Sequence, residues 1–354
     1  MLLYRTSALA VQQSLSLLIN VDFRARIPSR HIYYYRSSQH NDRWILSFAF
    51  IFESSDPVQF AYCIPYTYGQ LQTWLNELES RKYTFFHRDL LTQTVQRRRI
   101  DLITIDGSPD SFQGSKKMVF LTARVHPGES PSSHVMHGII EFLVSKDDRA
   151  QKLRKVYCFK IIPMLNPDGV YLGNYRCSLM GHDLNRMWRN PSDWAHPSIY
   201  AVKSLLTQYD NNPQAQTVIY VDLHAHSQKP NCFLYGNVSM TAVSRYSNLS
   251  ILECFRWKRS QLPVNCGFRI YSPSSQRIIH LNSLNSIRTS RKQELEEDEA
   301  LGEAFCRALL NFYEADCGLR EVHLERPFKT FLPARAQKSL KKQARKVIQT
   351  VMMK

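Results

Sequence analysis

Short apolar runs alternate with amphipathic, helix-length segments through the middle of the chain. The segments are predicted strands at 117–123, 156–163 and 218–223, and predicted helices at 131–145 and 198–209. Because strands and helices take turns, this pattern predicts an α/β fold in which helices pack on a sheet. A last helix is predicted at 294–315, where Leu301, Phe305 and Leu309 recur at helical spacing.

The N-terminal part of the chain has a different pattern, with β-rich runs and one helical segment. Strands are predicted at 16–23, 44–52 and 60–65, so residues 12–65 are expected to form a small β domain. The helix is predicted at 67–82, with an apolar face formed by Leu71, Trp74, Leu75 and Leu78. A targeting role for residues 1–20 is the alternative to the first strand. No apolar run is long enough to predict a membrane span.

Side chains that can bind a metal ion follow two of the predicted strands. His126-Pro-Gly-Glu129 comes after the run 118–123, and Asp222-Leu-His224 ends the run 218–223. Sites in open α/β sheets gather at the carboxyl ends of strands. Zinc accepts imidazole nitrogen and carboxylate oxygen, and a catalytic zinc keeps one position free for water. The spacing therefore predicts one Zn²⁺ held by His126, Glu129 and His224.

The residues around this predicted site leave alternatives open. Pro127 and Gly128 indicate a sharp strand-to-helix bend, with Ser130 as the N-cap and Pro131 at the first helical position. Asp222 either orients His224 or simply ends the strand. His226 is expected to support the site rather than bind the metal, and three histidines without a motif are expected at the surface: His134, His182 and His196.

Composition adds a charge and a redox expectation. The formal net charge is +16, and residues 326–354 hold nine Lys and Arg and no acid, so the tail carries much of this charge. That tail is either a solvated extension or an electrostatic contact with an acidic partner such as tubulin tails, nucleic acid or an anionic membrane. Eight cysteines without a Cys-x-x-Cys pair suit a reducing compartment.

Five motifs in order resemble one family, the cytosolic carboxypeptidases. They are His126-Pro-Gly-Glu129, Asn166-Pro-Asp-Gly, Asn174-Tyr-Arg176-Cys-Ser, Asp183-Leu-Asn185-Arg186 and His224-Ala-His-Ser. These enzymes are zinc metallocarboxypeptidases that trim glutamates from tubulin and other proteins. The resemblance implies an α/β fold: a β-sandwich at 1–95, then a mixed-sheet carboxypeptidase domain at 96–320 with helices on both faces, then a basic tail at 321–354. It covers residues 30–236 well and the last helix loosely.

The resemblance also implies roles for individual residues. Arg176 matches the arginine that polarises the scissile carbonyl, and Asn185 with Arg186 matches the pair that holds the terminal carboxylate. Without the resemblance, Arg176 could be a surface arginine, and Asn185-Arg186 a helix cap and a salt-bridge partner. Arg277 is a candidate contact for a glutamate side chain. The implied location is the cytosol, with tubulin or other glutamate-rich tails as partners and possible association with microtubules, centrioles or cilia.

One family feature is not found in this chain, the glutamate general base expected between the third zinc ligand and the last helix. Residues 261–292 contain no Asp or Glu, so a segment around 270–292 is expected to be missing. Neither Glu253 nor Glu325 lies where the family places its base. The alternative to an active peptidase is therefore a zinc-holding scaffold that binds acidic tails without cutting them. A third hypothesis makes the tail the functional part, although nucleic acid is judged an unlikely partner.

Overall fold

The structure is a computed structural model, and it describes most of the chain up to the strand that carries the third predicted ligand, with isolated elements beyond it. The described residues are 3–6, 23–53, 55, 58–61, 64–107, 116–225, 233–235, 267–271, 280–282 and 291–316. The chain divides into two compact units, residues 1–313 and residues 314–354. In the described part, no helix has the length and apolarity that crossing a membrane requires.

The N-terminal segment forms five short strands in two small sheets. They are β1 (Leu3–Thr6), β2 (Phe23–Arg26), β3 (Ile32–Ser37), β4 (Arg43–Phe48) and β5 (Val58–Ala61). One sheet has the order β2-β1-β5, and β3 pairs with β4 in the other. The β-rich character was expected, and the sandwich arrangement stays a prediction. Most of the predicted strand at 16–23 lies outside the described residues.

A mixed sheet of eight strands forms the centre of the molecule. Its strands are β6 (Phe86–Gln93), β7 (Arg99–Ile105), β8 (Lys116–Ala123), β9 (Tyr157–Ile162), β10 (Ala215–His224), β11 (Phe233–Tyr235), β12 (Gly267–Tyr271) and β13 (His280–Asn282). The order is β12-β11-β13-β10-β8-β9-β7-β6. Strand β8 is parallel to both β9 and β10. Residues 267–291 contribute the two short strands β12 and β13.

Helices cover both faces of this sheet, as expected. They are α1 (Tyr68–Ser80), α2 (Ser130–Val144), α3 (Asp148–Val156), α4 (Pro167–Leu172), α5 (Pro197–Asp210) and α6 (Arg291–Asp316). Strand β7 sends Ile103 and Ile105 into the core beneath α1, α2 and α6, and Leu102 into the core beneath α5. A strand buried on both faces is a continuous apolar run in the sequence, which is why β8 to β10 were recognisable there.

The predicted boundary at residue 95 separates elements that lie together. Strand β6 pairs with β7 along its length, so the main sheet begins at Phe86. The apolar face predicted for 67–82 packs in the main core, and Thr67 closes a capping box with Gln70 at the start of α1. Residues 68–93 therefore contribute to the sheet and its core, and β6, α3 and α4 are elements that the hydrophobic pattern did not predict.

Helix α6 approaches α2 closely enough to require a glycine. A Cβ on Gly302 would lie 2.5 Å from the amide nitrogen of Ile139 and from the carbonyl oxygen of Val135. Phe305 and Leu309 of α6 are buried in the same core as the sheet. The close contact anchors α2, the helix that begins beside the predicted metal site.

Candidate metal centre

Parallel pairing of β8 and β10 brings the predicted metal ligands together. Thr122 lies opposite Asp222 and Ala123 opposite Leu223, so both strands end at the same edge of the sheet. Ligand atoms of His126, Glu129 and His224 all lie within 4.8 Å of one another. Both imidazoles are buried, and the Glu129 side chain is 16% exposed. The site is thus enclosed, with limited access through the carboxylate.

The Glu129 carboxylate lies between the two imidazoles. His126 Nδ1 is 2.8 Å from Oε1, His224 Nδ1 is 2.9 Å from Oε2, and the backbone N–H of Ala225 donates to Oε2 at 3.0 Å. Burial would raise the pKa of the Glu129 carboxyl, but the charge of His224 and the hydrogen bonds from both imidazoles hold it well below its usual range. Glu129 is therefore held as a carboxylate, the form that binds a cation.

A carboxylate holds the outer nitrogen of each imidazole. Asp183 Oδ1 is 3.1 Å from His126 Nε2, and Asp222 Oδ2 is 2.9 Å from His224 Nε2. Metal-binding histidines use such partners to fix the ring and its tautomer, leaving the other nitrogen for the ion. Here both Nδ1 atoms face the centre. The set of two nitrogens and one carboxylate, supported in this way, fits zinc.

Asp222 contacts His224 from inside the sheet. It is fully buried, and Thr122 Oγ1 donates to its Oδ1 at 2.9 Å. Burial would lower the pKa of His224, but Asp222 and Glu129 outweigh it and raise that pKa to about 9. Of the two roles left open for Asp222, the geometry supports the orientation of His224.

Arg124 supports the loop that carries His126 and Glu129, and the motifs gave no sign of it. It has a positive φ of 57° and a buried side chain. Its Nε donates to Pro127 O at 2.8 Å, and its Nη1 donates to Tyr66 O at 3.0 Å and to Ser133 Oγ at 2.9 Å. A single guanidinium thus ties the loop to the entry of α1 and to α2. A signal existed: a charged residue at the end of an apolar strand must find partners when buried.

The bend after β8 is as sharp as expected, but its cap differs from the prediction. The N-cap position of α2 is Glu129, Pro131 is the second helical residue, and Ser130 Oγ donates to Ile64 O at 2.6 Å. Ser130 was wrong as the N-cap because its hydroxyl has a tertiary acceptor. The N–H of Gly128 donates to Tyr175 O at 2.8 Å.

The turn at Asn166-Pro-Asp-Gly is hydrogen-bonded to two other parts of the chain. Asn166 Nδ2 donates to Val125 O at 3.2 Å, and its Oδ1 accepts from the N–H of Gly169 at 3.1 Å. Asp168 accepts from Thr94 Oγ1 and from Arg98 Nη1, both at 2.7 Å. The turn therefore links the residue before His126 to the hairpin between β6 and β7.

Arg176 lies beside the candidate centre. Its Nε and Nη2 lie 2.9 and 2.7 Å from Asp183 Oδ2, while the other oxygen of that carboxylate contacts His126. Asn185 is buried, and its N–H donates to Asp183 Oδ1 at 3.0 Å. Arg186 follows, exposed, in a short 3₁₀ turn capped by Asp183. Asp183 is thus the cap of this turn, a role considered for Asn185, and it brings Arg176 and His126 together.

Two of the three histidines that were expected at the surface are not there. His134 and His196 were expected at the surface, but both are buried, and His196 Nε2 lies 2.7 Å from Nδ1 of the exposed His182. These histidines fill packing positions that local sequence does not reveal. Several residues lie outside the described part of the chain: His226, Arg277, Glu253, Glu325 and the tail at 321–354.

Comparison with known proteins identifies the family of this chain. The model of the zinc carboxypeptidase family matches residues 71–254. The chain belongs to the zinc carboxypeptidase family. It is 74% identical over 357 residues to cytosolic carboxypeptidase 6 of Caenorhabditis elegans, covering 93% of this chain and 78% of that protein. This match places the chain among the cytosolic carboxypeptidases, so the family predicted from the motifs is confirmed.

The matched region is less than half of each mammalian relative of this metallocarboxypeptidase. Human cytosolic carboxypeptidase 6 is 52% identical over 216 residues, which are 60% of this chain and 43% of the human protein. A metallo-carboxypeptidase structure from Burkholderia cenocepacia has a TM-score of 0.63 at 21% identity, over 80% of this chain and 77% of that one. The structural likeness supports the carboxypeptidase fold, which agrees with the mixed sheet described above.

Proposed function

We propose that this chain is a zinc carboxypeptidase of the cytosol that releases glutamates from acidic C-terminal or side-chain tails, tubulin foremost. The observation that carries the proposal is the convergence of His126, Glu129 and His224 at the edge of β8 and β10, with Arg176 alongside. The cytosolic location follows the names of the relatives. The excess of basic residues suits an acidic substrate.

His126, Glu129 and His224 would hold the zinc ion. When bound, zinc supplies Lewis-acid polarisation of the scissile carbonyl and activation of water. Arg176 is poised to stabilise negative charge that develops on the carbonyl oxygen, and its contact with Asp183 fixes its place relative to His126. The guanidinium is 44% exposed, so a substrate can reach it.

Asn185 and Arg186 would bind the free C-terminal carboxylate of the substrate. A planar guanidinium can hold a carboxylate with two parallel hydrogen bonds. Arg186 is exposed and forms no ion pair with another described residue, so its charge is available to a ligand. Asp183 caps the turn that carries both residues and thereby sets their distance from the metal centre.

Zinc content and glutamate release, measured together on the purified chain, test the proposal. Arg186→Ala should lower release from a polyglutamylated peptide by about 100-fold while zinc content stays the same, because a lost charged hydrogen bond costs about 1.5–3 kcal/mol. Arg189→Ala is the matched control, since Arg189 is also exposed and only three residues away. Equal effects of the two variants would contradict the role of Arg186, and a chain without zinc would contradict the whole proposal.

A second candidate function is a zinc-holding scaffold that binds acidic tails without cutting them. The observation in its favour is the absence of Asp and Glu from residues 261–292, where the family resemblance places the general base. Loss of a general base costs about 10²–10⁴ in rate. Release of glutamate within about tenfold of a full-length relative would exclude this candidate, whereas peptide binding without release would establish it.

A further inference from the structure

Helix α4 exposes one tyrosine, and the loop after it exposes a second beside the loop that carries His126 and Glu129. Tyr171 is 68% exposed and Tyr175 is 62% exposed. An exposed aromatic ring offers a large apolar face on which a bound peptide can pack. Neither tyrosine is used by the mechanism described above.

Tyr175 lies directly against the loop that carries the predicted ligands. Its carbonyl oxygen accepts from the N–H of Gly128 at 2.8 Å, and a Cβ on Gly128 would lie 2.6 Å from Tyr175 Cδ2. The ring is therefore in contact with the loop between His126 and Glu129 while most of its surface faces solvent. Tyr175 directly precedes Arg176, the arginine proposed to contact the scissile carbonyl.

The ring of Tyr171 stacks against an arginine of the hairpin between β6 and β7. The guanidinium carbon of Arg98 lies 3.7 Å from the centre of the Tyr171 ring, and Arg98 Nη1 is bonded to Asp168. The stack connects α4 to the hairpin between β6 and β7. Because the Tyr171 ring is already stacked on Arg98, a ligand that packs on it loses less additional side-chain entropy.

The charge around these rings is positive on the outside. Asp168 and Asp183 have only 5% and 19% of their side chains exposed, and each is engaged by an arginine, Arg98 or Arg176. On the same hairpin Arg97 has a positive φ of 59°, is exposed, and forms no ion pair with the described residues. A ligand approaching from solvent therefore meets basic groups and aromatic faces.

We propose that Arg97, Tyr171 and Tyr175 form an approach rim that binds the acidic, extended stretch of a substrate chain preceding the residue to be released. This inference rests on the proposed carboxypeptidase function. Carboxylates would be attracted by the exposed guanidinium, and the backbone and side-chain stems of the peptide would pack on the two rings. The rim thus selects acidic tails long enough to reach from the hairpin to the metal centre.

Two substrates of different length distinguish binding at the rim from catalysis at the metal centre. One is an acidic peptide of about ten residues, roughly 33 Å when extended, ending in glutamates, and the other is an N-acylated Glu-Glu dipeptide. The measured quantity is the ratio of kcat/KM for the long peptide to kcat/KM for the dipeptide. Arg97→Glu combined with Tyr171→Ala should lower this ratio by roughly tenfold, and raised salt should reduce the difference because the attraction is screened.

Matched changes elsewhere control for charge and for lost aromatic surface. Arg43→Glu and Tyr33→Ala lie on the β3–β4 hairpin, are both exposed, and make the same changes of charge and size. They should leave the ratio within about twofold of the wild-type value, since long-range effects of single surface charges are largely screened. An unchanged ratio in the rim variant, or an equal fall in the control variant, would overturn the rim.

Failure of the underlying function would be recognised separately. If the wild-type chain cleaves neither substrate, the peptidase proposal fails and the rim is tested by fluorescence anisotropy of the labelled long peptide. Weaker binding to the rim variant than to the control variant then supports the rim. Equal binding to both variants, or no binding to the wild-type chain, overturns it.

Discussion

Replacement of Asp222 by Asn is the sharpest test of the candidate centre. Asp222 is fully buried, with one oxygen 2.9 Å from His224 Nε2 and the other accepting from Thr122 at 2.9 Å. The amide side chain would keep the shape of the carboxylate but remove the charge that fixes the tautomer of His224. His224 binds the metal through the lone pair on Nδ1, which requires the proton to be on Nε2. The substitution should therefore lower zinc affinity although all three ligands remain.

The expected size follows from this contact. Loss of a buried partner of a metal-binding histidine typically costs 10- to 100-fold in metal affinity, which corresponds to about 1.4–2.7 kcal/mol. A surface ion pair would give at most about 1 kcal/mol, so an effect of this size depends on the enclosed geometry. Zinc binding is measured by titrating the metal-free protein against a competing chelating indicator, and thermal unfolding of the same samples is recorded alongside.

Asp101→Asn is the matched control for this measurement. Asp101 is also buried, at 3% exposure. Its carboxylate accepts hydrogen bonds from Arg88, Arg99 and Gln72 and from none of the candidate ligands. We expect it to lower stability without changing zinc affinity. Zinc affinity within twofold of wild type in Asp222→Asn, or an equal loss in Asp101→Asn, would refute the reasoning, because either result would uncouple Asp222 from the metal.

Three further perturbations probe the ligand set, the helix contact and a buried histidine. Glu129→Gln removes the carboxylate between both imidazoles, so metal analysis of the purified variant should find little zinc; stoichiometric zinc would contradict the site. Gly302→Ala should cost about 1–3 kcal/mol in chemical denaturation because its Cβ meets the backbone of α2, whereas Gly69→Ala, whose Cβ has no contact closer than 4.0 Å, should be nearly neutral. Burial lowers the pKa of His137 from 6.5 to about 4, so stability present above pH 6.5 is lost as pH falls toward 4, and His137→Phe should flatten this decline in denaturation curves. A slope as steep as that of wild type would show that His137 is not its source.

Local apolar patterning was enough for the elements that bury an apolar run or one apolar face. Strands β8, β9 and β10 lie close to their predicted places because they are continuous apolar runs, and helices α2, α5 and α6 do so because their apolar residues recur at helical spacing. Strand β6 and helix α4 escaped prediction. An edge strand such as β6 alternates weakly, and α4 has only six residues, too few to show a helical period.

The chemical types of the centre were also readable from the sequence, since His126, Glu129 and His224 follow strands whose ends meet. What holds those residues was decided by tertiary structure. Asp183 contacts His126 across 57 positions, and Tyr66 accepts from Arg124 across 58. Periodicity records only which face of an element is apolar, whereas such contacts depend on how whole elements are placed beside one another in space. The sequence by itself therefore determined the elements and the candidate ligands, and the packing of the sheet and its loops determined their partners.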